Sequence, residues 1–163
     1  ELRWWDSAAT EAKAGKDPDY TCGCRVKLLN GDYYVMDMRR VRAAPFAVKT
    51  LMGQTAQLDG RTVAIRMGQE PGSSGKSLAD DYARTIFLGY DFMALPETGS
   101  KTVRAAPVSA AAQGGRVKIV RGAWNNAFLD ELEGFPEVGH DDQVDSLSGA
   151  MNALSMGIEW RAG

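Results

Sequence analysis

The sequence contains very few of the side chains that build zinc sites and disulfides. It has one histidine, His140, and two cysteines, Cys22 and Cys24, among 163 residues. The two cysteines alternate along one predicted strand and point to the same face, which is poor geometry for a disulfide. A single distant histidine does not complete a zinc site with them. We therefore expect Cys22 and Cys24 to be free thiols, buried or half-buried, in a reducing compartment.

Long apolar runs and an excess of one charge are missing as well. No apolar run approaches the roughly 20 residues that a membrane-spanning helix needs. The formal net charge of -2 does not indicate a nucleic-acid partner, although Arg39, Arg40 and Arg42 are crowded together and leave a local basic patch open. The chain length fits one domain with its own core. Its first residues resemble neither a signal peptide nor an initiator methionine, so we expect a fragment of a longer protein.

Turn and helix signals divide the chain into strands and helices. A strand that runs into a small-residue turn is predicted over residues 2–9, with Asp6 near the end of the strand, and Asn30-Gly31, a strong hairpin signal, joins strands at 20–29 and 32–42. From Pro45 onward, helical and strand patterns alternate. The predicted helices are 45–58, 78–88, 101–113, 124–132 and 141–160, and the strands between them are 61–69, 92–95 and 117–120. This order predicts an α/β protein with a mixed central sheet flanked by helices.

Four carboxylates stand at the ends of predicted elements. Asp6 lies near the end of the first strand, and Glu70 follows the strand at 61–69. Asp142 and Asp145 share one face of the last helix, whose N-cap is predicted at Asp141. Any one of these acids is more often a surface or capping residue, and the helix dipole alone favours an acidic first turn. Together they indicate a site for divalent ions, because a few carboxylates hold Mg²⁺ with substrate phosphates, and two ions about 4 Å apart promote phosphodiester hydrolysis.

The segment Gly72–Ser77 imitates a phosphate-binding loop. A Walker A loop has four residues between its first glycine and the Gly-Lys pair, whereas two separate Gly72 from Gly75-Lys76 here, so an NTP site is not expected. Two interpretations stay open. The turn presents backbone amides and Lys76 to a DNA phosphate beside Glu70, or it is a flexible turn ahead of a helix with Ser77 as its N-cap.

Isolated polar residues supply weaker candidates. Lys13, Lys16 and Arg39 are predicted phosphate contacts, although a solvated surface position is the commoner explanation for each of them. His140 is a candidate general base or metal ligand, with packing at the helix start as the alternative.

Four segments, taken in order, resemble one known family. They are Trp5-Asp6-Ser-Ala-Ala-Thr10, Lys16-Asp17-Pro18-Asp19-Tyr20-Thr21, Gln69-Glu70-Pro71-Gly72-Ser73-Ser74-Gly75-Lys76 and Gly139-His140-Asp141-Asp142-Gln143-Val144-Asp145. Over nearly the whole chain they resemble the C-terminal nuclease domain of the large terminase subunit of tailed bacteriophages or prophages. The resemblance implies an RNase H-like fold, in which three antiparallel strands are followed by parallel ones.

The resemblance also implies a function. The family cuts concatemeric viral DNA during genome packaging and holds two Mg²⁺ or Mn²⁺ ions. Carried over to this chain, Asp6 would bridge both metals, Glu70 would be the acid of the fourth strand, and Asp142 and Asp145 would supply the last ligands. The implied setting is the bacterial host cytoplasm. The implied partners are double-stranded DNA and, in the full-length protein, the packaging ATPase domain, the small terminase subunit and the portal protein.

Two alternatives stay open beside this interpretation. One is a structure-specific resolvase of Holliday junctions with the same fold, and the other is a module that docks DNA or portal protein without cutting. No Walker motif occurs in the sequence, so we do not expect this chain to hydrolyse ATP.

Overall fold

Six strands form one mixed sheet in the computed structural model, which describes residues 1–7 and 19–157. The strands are β1 (Leu2–Asp6), β2 (Thr21–Leu29), β3 (Asp32–Val41), β4 (Ala64–Gln69), β5 (Phe92–Pro96) and β6 (Val117–Ile119). Their order across the sheet is β5-β4-β1-β2-β3-β6. β1, β2 and β3 are antiparallel, whereas β4 runs parallel to β1, β5 to β4 and β6 to β3. The expected succession of antiparallel and then parallel strands is confirmed.

Five helices cover the two faces of this sheet in the described part of the chain. They are α1 (Pro45–Asp59), α2 (Ser73–Arg84), α3 (Lys101–Gln113), α4 (Asn125–Gly134) and α5 (Asp142–Ser155). Trp4 and Trp5 are consecutive in β1, so their side chains point to opposite faces. Trp5 packs with α1 and α2, and Trp4 packs with α3, α4 and α5. β1 is therefore buried on both sides. None of the described helices is long and apolar enough to cross a membrane.

Local signals explain the hairpin and the thiols. Asn30 and Gly31 have φ values of 53° and 86°, the positive angles that a two-residue hairpin turn requires. Cys22 and Cys24 are free, fully buried and on the same face of β2, as expected. Burial raises the pKa of the Cys24 thiol to about 12, so this thiol is inert at neutral pH.

A buried arginine fixes β1 from the face opposite α5. Arg3 is 1% exposed. Its guanidinium donates to the carboxylates of Asp59 and, at 2.8 Å, Asp37, and to the carbonyl of Gly23 at 2.7 Å. The buried charge is thus paired and hydrogen-bonded, which is the condition under which burial is tolerated.

The start of α2 differs from the prediction. The helix begins at Ser73, with Gly72 at the N-cap position and a φ of 102°. The segment Gly72–Ser77 is therefore the first turn of α2 rather than a loop, and Ser77 is not the N-cap. A close approach explains this: a Cβ on residue 75 would lie 2.2 Å from the carbonyl oxygen of Glu70. Only glycine lets the turn fold back onto the end of β4.

Other boundaries moved by a few residues. β1 ends at Asp6, as predicted, and α5 ends at Ser155, short of the predicted residue 160. Residues 8–18 and 158–163 lie outside the described part of the chain.

Candidate metal centre

The Ser146 side chain of α5 hydrogen-bonds to the backbones of β1 and β2. The Ser146 hydroxyl donates to the Trp4 carbonyl and accepts from the Cys24 amide, both at 2.9 Å. One turn further on, a Cβ on Gly149 would lie 2.2 Å from the Trp4 ring, so the helix backbone rests on the indole. These contacts hold the first turn of α5 next to the end of β1, where Asp6 lies.

The N-terminus of α5 is capped by α4. The Glu131 carboxylate, buried at 6% exposure, accepts from the amides of Gln143 at 2.6 Å and Val144 at 3.3 Å. Asp141 occupies the N-cap position but makes no capping bond, and its carboxylate accepts from Lys101 instead. The predicted N-cap position is right and the predicted bond is wrong, because Glu131 already satisfies these orphan amides.

Asp6 faces other acids without a partner of its own. Burial raises its pKa well above the usual range, and the charges of Glu97, Asp145 and Asp142 raise it further, while Lys101 opposes them. Among the described residues, the Asp6 carboxylate has no hydrogen bond or ion pair. An enclosed acid surrounded by like charges is stabilised in its charged form by hydrogen bonds or by a cation, and the described residues donate no hydrogen bond to Asp6.

The two acids of α5 have different partners. Asp142 accepts from the Tyr20 amide at 3.1 Å; burial raises its pKa, and this hydrogen bond partly offsets the shift. Asp145 accepts from Arg104 at 2.7 Å and from Lys101 at 3.1 Å. Both carboxylates lie on one helix face, as predicted, and both are almost fully buried. α3 neutralises Asp145 but not Asp142.

Glu97 is a further acid at this place, and the prediction missed it. It directly follows β5, and its carboxylate lies 3.5 Å from the Arg104 guanidinium. Burial raises its pKa; Arg104 lowers it, and Asp145 and Glu70 raise it. The available signal was the apolar run 92–95 followed by an acid, the same pattern that identified Asp6.

Glu70 lies at the open edge of this group. It is exposed, directly after β4, and its charge contributes to the raised pKa of Glu97. Beside it is a cavity of about 150 Å³, lined by Ser7, Glu70, Ser74, Gly75 and neighbouring residues. The charges of Glu97, Asp142 and Asp145 thus all act on Asp6, and Glu70 is accessible at the margin of this group.

Strand register decides which arginine shares the acid face. Asp6 pairs with Cys22, and Cys22 pairs with Arg40, so these three side chains point to the same side of the sheet. Arg39 points to the other side, where it pairs with Asp37 at 3.0 Å. Register therefore places Arg40, and not Arg39, on the face of the acids, and the phosphate contact predicted for Arg39 stays a prediction.

Arg40 and Arg42 enclose an aromatic ring next to Asp142. Their guanidinium carbons lie 3.8 and 4.0 Å from the centroid of Tyr20. The His140 ring meets the same tyrosine edge-on at 5.5 Å. Arg42 also approaches Nε2 of His140 at 3.2 Å. Because a guanidinium only donates, Nε2 accepts.

His140 brings two carboxylates close to its other nitrogen. Nδ1 lies 3.7 Å from Asp19 and 3.8 Å from Asp142. The ligand atoms of these three residues all lie within 4.8 Å of one another. His140 is thus a direct neighbour of Asp142 rather than an isolated packing residue.

The lysine candidates have different outcomes. Lys76 is exposed on α2 and lines an open groove with Ser73, Asp80 and Arg84. Lys13 and Lys16 lie outside the described residues.

The strand order and the acid-lined end of β1 define an RNase H-like α/β domain. The chain belongs to the terminase RNase H-like domain family, whose model matches residues 3–154. No curated protein sequence matches the chain. The terminase assignment from the sequence is thereby confirmed.

Solved structures with the same fold come from two kinds of virus. The human cytomegalovirus terminase nuclease domain, soaked with Mn and bound to an inhibitor, matches with a TM-score of 0.66 at 10% identity, over 99% of this chain and 86% of that one. The large terminase nuclease of thermophilic phage G20c with bound magnesium matches with a TM-score of 0.55 at 17% identity, over 90% and 78%. The nuclease domain of Thermus phage P74-26 matches with a TM-score of 0.55 at 16% identity, over 93% and 79%. At these identities the likeness establishes the fold.

Proposed function

We propose that this chain is a divalent-metal-dependent DNA endonuclease domain that cleaves viral DNA during genome packaging. The observation that carries the proposal is the Asp6 carboxylate, which is enclosed among Glu97, Asp142 and Asp145 and has no partner among the described residues. Membership of the terminase family supplies the biological setting.

The donor set fits a hard divalent cation. Asp6, Glu70, Asp142 and Asp145 offer only carboxylate oxygens, which Mg²⁺ and Mn²⁺ prefer. Similar domains support the choice of metal, since one was soaked with Mn and another contains bound magnesium. We propose that two ions bind here, and that Asp6, Asp142, Asp145 and Glu70 would hold them.

Each residue has a distinct task in this reaction. Bound ions would supply a polarised water and charge compensation for the leaving oxygen. Asp6 is fixed at the end of the central strand β1, opposite the two α5 acids. Arg104 holds Asp145 in one orientation, and Lys101 offsets its charge. The Tyr20 amide does the same for Asp142, and His140, whose Nδ1 lies 3.8 Å from Asp142, is an accessory residue beside it.

DNA is proposed to approach over Glu70 and the basic side of the site. Arg40 and Arg42 present guanidinium groups beside Asp142, stacked on Tyr20, and Lys76 is exposed one turn into α2. Such groups bind phosphates and fix the register of a duplex without reading its sequence. We accordingly expect little sequence preference. The ATPase domain, small terminase subunit and portal protein stay predictions for the full-length protein.

The experiment is plasmid nicking by the purified domain in Mn²⁺, Mg²⁺ or EDTA. Asp6→Asn is the test variant, and Asp130→Asn, at an exposed position on α4, is the matched control. We expect nicking with metal by the wild type and by Asp130→Asn, and background levels with EDTA or with Asp6→Asn.

Two other outcomes would redirect the assignment. Preferred cleavage of a four-way junction over linear duplex would identify a resolvase instead. DNA binding that is the same with and without metal, with no cutting under any metal and no Mn²⁺ uptake, would make the chain a docking module and refute the nuclease.

A further inference from the structure

Strand register directs Glu97 towards Asp6. In the parallel strands, Gly68 pairs with Leu95 and Gln69 with Pro96, so the next residues, Glu70 and Glu97, are opposite one another. Side chains alternate along a strand, and Leu95 packs against the core beneath α5. Glu97, two residues later, continues on that same face.

Gly68, which has no side chain, leaves room for the Glu97 carboxylate. A Cβ on Gly68 would lie 2.5 Å from the Glu97 Oε1 atom and 2.9 Å from its Cδ. Gly68 follows Met67, the partner of Trp5, so it is level with Asp6 in the neighbouring strand. The carboxylate of Glu97 therefore lies over β4 in the space that a larger residue 68 would fill, between its own strand and β1.

Glu97 interacts electrostatically with Asp6 on β1 and shares an arginine with Asp145 on α5. Of the neighbouring charges, that of Glu97 raises the pKa of Asp6 most. Arg104 lies 2.7 Å from Asp145 and 3.5 Å from Glu97, so one guanidinium holds both carboxylates. Glu97 keeps 27% of its side chain exposed and can be reached from solvent.

We propose that Glu97, at the end of β5, is a further metal-binding carboxylate of this site and would act there together with Asp6. The assignment rests on the proposed function and names a ligand in addition to Asp6, Glu70, Asp142 and Asp145. The position is set by Gly68 below the carboxylate and by Arg104 beside it.

The first test is Mn²⁺ titration by calorimetry without DNA. Glu97→Gln removes the charge at constant shape, and Glu133→Gln, exposed on α4, is its matched control. We expect Glu97→Gln to weaken Mn²⁺ binding about tenfold or more, and Glu133→Gln to bind as the wild type does. In nicking assays, the Mn²⁺ concentration for half-maximal rate should rise by the same factor.

A second variant changes the position of Glu97 and keeps its charge. Gly68→Ala places a methyl group against the end of a flexible side chain, so the carboxylate moves while the fold is retained. We expect an unchanged or slightly higher melting temperature in EDTA, with Mn²⁺ affinity lowered as in Glu97→Gln. Because both changes act on one ligand, the double variant should be no weaker than Glu97→Gln alone.

A role limited to holding Arg104 gives a different result. In that case Glu97→Gln would have no further effect on Mn²⁺ affinity in an Arg104→Met background, whereas a ligand retains its effect there. If Glu97→Gln binds Mn²⁺ like Glu133→Gln while Asp6→Asn abolishes binding, the inference fails and the proposed nuclease stands. If the wild type binds no Mn²⁺ and cuts no DNA, both fail.

Discussion

The contact between α5 and β1 makes one amino-acid change have opposite effects in two helices. Gly149 of α5 and Gly53 of α1 both lie inside helices, where alanine is favoured over glycine by roughly 1 kcal/mol. At Gly53 the nearest atoms to an added Cβ belong to Ile86, at 3.5 Å, which is an ordinary contact. At Gly149 three atoms of the Trp4 indole would lie at 2.2, 2.4 and 2.5 Å.

The size of the effect follows from these distances. Trp4 is 5% exposed and enclosed by the core, so its ring cannot move aside cheaply. Overpacking of this kind costs about 1–3 kcal/mol, and three overlapping atoms favour the upper end. Subtracting the gain in helix propensity leaves Gly149→Ala less stable by about 2 kcal/mol. For a domain of this size, that corresponds to a fall in melting temperature of roughly 4–8 °C, whereas Gly53→Ala should rise by roughly 2–4 °C.

Calorimetric melting of the two variants in EDTA measures the difference directly. A second measurement follows from the site, because displacement of α5 moves Asp142 and Asp145 away from Asp6. Gly149→Ala should therefore also bind Mn²⁺ more weakly, while Gly53→Ala binds it as the wild type does. A Gly149→Ala protein that melts at or above the wild-type temperature would refute the close packing of α5 on Trp4.

Three further changes test the charges and the geometry of the site. In EDTA, Asp6→Asn should melt a few degrees above the wild type at about pH 7.5 and equal it near pH 4. The reason is that the folded-state pKa of Asp6 lies above its usual 3.8, so the stability tied to its protonated form is lost as pH rises through that raised pKa. A lower melting temperature of the variant at the higher pH would contradict this. Gly75→Ala should displace Glu70, whose carbonyl would lie 2.2 Å from the new Cβ, and reduce plasmid nicking by about 100-fold; full activity would show that the position of Glu70 is unimportant. Lys101→Met should bind Mn²⁺ severalfold more tightly in calorimetry, because one cation fewer competes for Asp145; weaker binding would instead give Lys101 a positioning role.

Features that depend on neighbours in sequence were predictable. The Asn30-Gly31 turn sets its own φ angles, and it thereby fixed two strands of the sheet. The bounds of α3, Lys101–Gln113, were predicted, and the end was marked by Gly114; the structure adds that Ser100 caps the start. Asp6 was identifiable because an apolar strand ends at a carboxylate.

Features that depend on elements distant in the sequence were not predictable. Ser-Gly-rich segments favour turns, and only the packing of Gly75 on the Glu70 carbonyl makes this one helical. Asp141 has the sequence of an N-cap, yet Glu131, ten residues earlier in another helix, takes the amides. Nothing in the sequence says which of Arg39 and Arg40 points to the face of the acids, because a shift of one residue in strand register moves each side chain to the opposite face of the sheet.

The same dependence explains why the acids separate into two groups. α3 carries Lys101 and Arg104 on one face, and together they pair Asp141, Asp145 and Glu97. Two cations thus offset much of the charge of these three acids, so the helices can pack before any metal arrives. Asp6 lies at the end of the central strand, where no described cation pairs with it, and Asp142 has only an amide and a histidine. Unpaired charge is therefore concentrated between β1 and the first turn of α5. A divalent ion should gain most of its binding energy there, and metal removal should destabilise this junction first.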